Sequence, residues 1–163
     1  MTMNIKVQHL MDATLMMSNI IRSNRRLPTK GKYLLGRMHA KLQPEFIRLD
    51  EERNALIKSY NHKADVPNPA YNPSLKDARD NLTAKGRIQE AMKIKVEPET
   101  IEADTVPEDQ IKDFESKWAP ITKTEIEVDV TPIHIDDLCF PGDLEDGEIT
   151  AHEFIVLGDL ITE

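Results

Sequence analysis

Residues 143–154, DLEDGEITAHEF, place carboxylates, a glycine and an isoleucine where the second half of a twelve-residue calcium loop has them. With Gly147 as the loop glycine, Asp146 supplies an oxygen, Ile149 takes the apolar bridging position and Glu153 the bidentate one. The first and third ligand positions then fall on Gly142 and Leu144, which have no side-chain oxygen, so Ca²⁺ loses two carboxylates. The preceding residues 131–141, TPIHIDDLCFP, contain Pro132 and Pro141 and read as strand and turn rather than an entering helix. A plainer role fits better: Gly147 serves a turn, and Thr150 with Glu153 forms an S/T-x-x-E capping box for a last helix.

Other constellations are weaker. His134 with Asp136 and Asp137 has metal-ligand types, but a solvated acidic loop needs the same residues. The pair His152-Glu153 lacks the second histidine of HExxH, and no serine lies in GxSxG. Only 6 glycines occur, none in a phosphate-cradling loop. The one cysteine, Cys139, excludes a disulfide scaffold and any multi-cysteine zinc site. No catalytic residues, metal ligands or cofactor are assigned, and a non-enzymatic role is expected.

Net charge is −8, but it is unevenly distributed. Residues 1–95 carry 18 Lys/Arg against 9 Asp/Glu, or +9, whereas residues 96–163 carry 3 against 20, or −17. Opposite ends of this kind attract, within one molecule or between copies. The candidate interaction surface is therefore acidic Asp136, Asp137, Asp143, Glu145, Asp146 and Glu148, with basic Arg22, Arg25 and Arg26 as its counterpart. Nucleic acid is disfavoured as a partner, because no aromatic residues interleave the Lys and Arg as a base-stacking platform requires. No apolar run approaches the ~20 residues of a membrane span, and MTMNIKVQHLMD lacks the pattern of a signal peptide.

These groups need elements to hold them. Residues 3–7, MNIKV, are β-prone, and Leu10, Ala13, Met17 and Ile20 or Ile21 then recur at helical spacing. Leu35, Met38, Leu42, Phe46, Leu49, Leu56 and Tyr60 mark a long helix, which Pro44 should kink or split near Leu42. Residues 61–74, with three prolines, read as an extended excursion. A thin helix follows over Leu75, Ala78, Leu82, Ile88 and Met92, interrupted by Gly86. Residues 96–105 read as an acidic connector, and Ile111, Phe114 and Trp118 as a short helix behind Pro107. Ile126, Val128 and Val130 alternate with acids in a half-buried strand, 136–147 is an acidic loop, and 150–161 a closing helix. The expected class is α+β: an N-terminal kinked antiparallel helical hairpin (1–60), a Pro-rich excursion with a basic helix (61–95), and an acidic part with a small β element and short C-terminal helices (96–163).

Leu27, Pro28, Lys30, Tyr33, Leu42, Pro44, Glu45, Glu52, Arg53, Leu56, Ile57 and Tyr60 form one extended pattern. Val96, Pro98, Val128, Ile133, Ile135, Leu157 and Ile161 continue it toward the C-terminus. The pattern resembles a family of small tailed-bacteriophage and prophage proteins, many without assigned function; residues 61–95 depart from it as an insertion would. The resemblance implies a minor virion or assembly component of neck, tail or capsid, found in the virion or the host cytoplasm. Its partners would be other phage structural proteins or further copies of itself. The alternative it leaves is an intracellular phage protein that binds and redirects a host factor, such as a defence or nucleic-acid enzyme. It transfers no active-site residues.

Overall fold

The computed structural model describes residues 2–23, 26–139 and 149–162. In chain order the elements are β1 (Thr2–Lys6), α1 (Val7–Arg22), α2 (Thr29–Lys58), β2 (His62–Pro67), α3 (Pro73–Ala84), α4 (Ile88–Ala91), β3 (Thr100–Thr105), α5 (Ile111–Lys123), β4 (Glu125–Asp129), β5 (Ile133–His134), α6 (Ala151–Leu157) and β6 (Ile161–Thr162). Short 3₁₀ turns occupy Glu108–Gln110, Ile135–Asp137 and Gly158–Leu160. The class is α+β, with a helical pair at the N-terminus. The chain divides into two units, Met1–Ala55 with Lys112–Glu163, and Leu56–Ile111. The acidic stretch 96–163 is thus shared between both units, because its strand β4 pairs with the N-terminal β1.

In the first unit, β1 and β4 run antiparallel with Ile5 opposite Ile126 and Met3 opposite Val128. Period-two alternation sends these four toward the core and leaves Asn4, Lys6, Glu125 and Glu127 exposed, with Lys6 directly opposite Glu125. The amide of Val7 donates to the Thr124 carbonyl (3.0 Å), fixing the start of α1 beside the start of β4. Along α1, Val7, Leu10, Ala13, Thr14, Met17 and Ile20 are buried, so Ile20 rather than Ile21 completes the stripe. Buried Thr14 is satisfied by donating to the Leu10 carbonyl at 2.7 Å. Leu35, Met38, Leu42 and Leu49 of α2 join the same core, together with Val128, Val130, Ile133, Leu138, Ile149, Leu157 and Leu160.

Pro44 does not split α2, which is helical from Thr29 to Lys58. A proline at this position leaves the Ala40 carbonyl without its i+4 donor. Ala40 and Pro44 are both exposed, so water can take that carbonyl and the helix continues. The C-terminal segment also differs from expectation. Helix α6 stops at Leu157 because Gly158, at φ +48°, turns the chain out of the helical conformation. Residues 158–160 then form a 3₁₀ turn, and β6 pairs in parallel with β5, Ile133 opposite Ile161.

In the second unit, β2 and β3 pair antiparallel from His62 opposite Thr105 to Pro67 opposite Thr100. Residues 100–105, read from sequence as connector, are therefore strand. Their acids sit on an otherwise β-compatible frame of Thr and Ile that β2 completes. Asn61, at φ +50°, ends α2 in the left-handed conformation that asparagine tolerates. Asn68 clamps the far end of the ribbon: its amide donates to Glu99 O (2.9 Å) and its side chain to Pro98 O (2.8 Å). Helix α3 starts from Asn72, whose side chain accepts from the Ser74 amide (3.0 Å), with Pro73 in its first turn. It ends at Gly86, φ +72°, where the Arg87 amide reaches back to Leu82 O at 2.9 Å.

Candidate functional site

The opposite charges of the chain do meet, along α2. Its first turn carries Lys30, whose ammonium lies 2.7 Å from a carboxylate oxygen of Asp137 in the 3₁₀ turn after β5. Beside it, Gly31 is buried with its backbone against that turn: a Cβ there would stand 2.3 Å from the Asp137 carbonyl oxygen. Only glycine permits this approach. Further along, Lys41 donates to both the backbone carbonyl of Asp129 (2.7 Å) and its carboxylate (3.0 Å). The Lys41 hydrogen bond and charge hold the Asp129 carboxyl below its ordinary value of 3.8. In the second unit Lys63 faces Glu102 at 3.8 Å across the β2–β3 ribbon. Each pair joins a residue of the basic stretch to one of the acidic stretch, within one molecule.

The candidate surface residues fare differently. Asp137 is engaged by Lys30 and its side chain is only 24 % exposed. Asp136 stays exposed, with its carboxylate 3.4 Å from His134 Nδ1 while its own amide donates to that nitrogen at 3.3 Å. Arg22 and Arg26 are exposed at and just beyond the end of α1. Arg22 and partial burial together lower the pKa of His39 on α2 below its ordinary 6.5, burial being the larger cause. Arg25, Asp143, Glu145, Asp146 and Glu148 lie outside the described residues, as do Gly142, Leu144 and Gly147 of the calcium reading.

The ends of that reading are described. Thr150 caps α6, its hydroxyl accepting from the Glu153 amide (3.3 Å), while Glu153 Oε2 accepts from the Thr150 amide (2.8 Å) and hydroxyl (3.0 Å). This is the reciprocal capping box, and Glu153 is 6 % exposed. His134, Asp136 and Asp137 do not converge; among the described residues no group of three His, Cys, Asp or Glu could hold a metal ion. Cys139 is half-buried, and Phe114 and Trp118 on α5 are half-buried. Among the described residues no helix is long and apolar enough to cross a membrane.

Sequence reasoning missed Lys30, Lys41 and Gly31 as the residues that receive the acidic stretch. Charge segregation announced an attraction, within one molecule or between copies, and the tertiary fold chooses which lysines meet which acids. It missed His9 as well. The His9 ring packs on Gly158, with Nε2 3.1 Å from the Leu157 carbonyl, so Nε2 carries the hydrogen and donates.

No family model, curated protein or solved structure matches the chain.

Proposed function

We propose that this chain is a non-enzymatic protein of a tailed bacteriophage that works through protein contacts, as a minor component of neck, tail or capsid or of their assembly. The observation that carries the reading is the composition of the second unit. Within residues 56–111 Ala91 is the one buried apolar residue, and the main core draws no member from this unit. Five of its large apolar side chains are exposed, Leu75, Ile88, Ile101, Ile111 and Met92, the last at 81 %, while others such as Leu56, Ile57 and Leu82 are half-buried. Single exposed apolar residues are ordinary, but a unit that fully buries one apolar residue and exposes five large ones gains stability when a partner covers them. Methionine suits such a surface, since its flexible thioether adapts to different neighbours. The phage-like pattern read along the chain supplies the biological setting.

The test is mass spectrometry of purified particles of the phage that encodes the chain. The chain is expected among the minor proteins, and its absence removes the virion assignment. A second arm uses the exposed Ile88→Asp and Met92→Asp together. The variant should fold normally by circular dichroism and be lost from particles; full retention would show that this surface is not the contact.

A further inference from the structure

The β2–β3 ribbon has two outer edges, and the sequence equips them differently. The Asn68 amide donates to the Glu99 carbonyl (2.9 Å), a pair that continues the ribbon's register by one step. Ladder bonds fall on every second pair, so they join Val66 to Ile101, Ala64 to Ala103 and His62 to Thr105. The backbone groups of Lys63 and Asp65 on β2, and of Thr100, Glu102 and Asp104 on β3, then point away from the partner strand. Pro67, which has no amide hydrogen, falls in the same outward set, where a strand tolerates it. Among the described residues no third strand joins the ribbon, and both Lys63 and Asp65 are exposed.

We propose that the β2 edge pairs antiparallel with the β2 edge of a second copy of the chain, about a two-fold axis at Ala64, joining two ribbons into one sheet. In this register the amide and carbonyl of Lys63 exchange hydrogen bonds with those of Asp65 of the second copy, and the two-fold repeats the exchange. The same pairing sets each Lys63 ammonium opposite an Asp65 carboxylate. Within its own ribbon Asp65 stands directly opposite Glu102, a like-charge pair that Lys63 of the second copy offsets. Neighbouring registers fail. An axis at Lys63 or at Asp65 sets like charges opposite each other, and one at Val66 sets Asp65 against Pro67, which has no hydrogen to give. An axis at His62 runs Lys63 against Asn61, which lies outside the strand at φ +50°. The β3 edge is no substitute, since Glu102 and Asp104 repel a second β3 and offer Asp65 no cation. Ala64 and Val66 share a face with Ile101 and Ala103, so the joined sheet also continues one apolar side. The contact is isologous and closes at a dimer, and it is independent of the phage assignment.

Sedimentation equilibrium of the full chain tests the pairing. The wild type is expected to reach a monomer–dimer equilibrium with no larger species. Lys63→Asp and Asp65→Lys each set like charges opposite one another at both symmetry-related places, and each should weaken dimerisation about tenfold. The two changes in one chain restore the opposition and should restore the dimer, and so should mixing the two single variants. Circular dichroism checks the fold. Should Lys63→Asp lose its signature, Asp65→Lys carries the test, because within its own ribbon it sets a cation opposite Glu102 and supports the fold while opposing the dimer. Ala64→Cys meets its own copy at the axis, where the Cα atoms of a non-hydrogen-bonded pair stand about 4.5 Å apart. Mild oxidation should therefore crosslink that dimer, while the wild type, with Cys139 as its one thiol, stays uncrosslinked. A monomeric wild type, single variants that dimerise unchanged, a double swap that stays monomeric, or an Ala64→Cys dimer that does not crosslink would each overturn the proposal. Dimerisation by a chain absent from particles would refute the virion assignment and leave the edge pairing standing.

Discussion

Two glycines of the same helix should respond to alanine with opposite signs. Replacing a helical glycine by alanine ordinarily stabilises by about 0.5–1 kcal/mol, because alanine leaves less backbone entropy to lose. At Gly36 nothing lies within 4 Å of the added Cβ, so Gly36→Ala should gain about that amount. At Gly31 the added Cβ would stand 2.3 Å from the Asp137 carbonyl oxygen and 3.3 Å from Leu138 Cα. Both atoms are backbone, so the contact is relieved only by moving α2 away from the 3₁₀ turn, and Leu138, fully buried in the core, moves with it. Overpacking of this kind costs about 1–3 kcal/mol, which outweighs the propensity gain, so Gly31→Ala should destabilise by about 1–2 kcal/mol. Urea unfolding followed through Trp118 reports on the unit that contains both glycines. A difference in sign between the two midpoint shifts is expected at unchanged m-value. Equal stabilisation by both alanines would refute the docking of α2 on the turn at Asp137.

Thr150→Ala removes one half of the capping box and should lower the stability of the same unit by about 1 kcal/mol, read by the same urea titration. Pro44→Ala restores a donor to the Ala40 carbonyl in an unbroken helix; up to ~3 kcal/mol of stabilisation should appear in thermal unfolding, and none would mean that the helix has already relaxed around the proline. His39 is held below its ordinary value of 6.5, so the folded state binds fewer protons there than the unfolded chain. Its contribution is therefore fully present above pH 6.5 and is lost as pH falls from 6.5 through the lowered folded value, and His39→Gln should flatten that limb of the stability–pH profile. Amide exchange should be fastest to open in residues 56–111, where burial is least, and slowest at Leu10, Met17 and Leu42.

Periodicity alone located most of the frame. The stripe Leu10, Ala13, Met17, Ile20 and its partner Leu35, Met38, Leu42, Leu49 are buried as their spacing requires, since a helix has one face to bury and apolar residues can only mark that face. The same holds for Ile126 and Val128 in β4, and for the Thr150 and Glu153 cap, which depends on residues three apart. Beyond this range local signals fail. Residues 100–105 carry an acidic pattern that suits a solvated connector, and become a strand only because His62–Pro67 offers a ladder more than thirty positions away in sequence. Whether Pro44 breaks a helix depends on which side the orphaned carbonyl faces, and that is set by packing. The basic and acidic portions were visible as totals, which state that attraction exists but not its pairs. Lys30 meets Asp137 and Lys41 meets Asp129 through the tertiary fold, in which Gly31 lets two backbones touch. Contacts of this sequence separation follow from topology, whose free energy is summed over the whole core rather than written at any one residue.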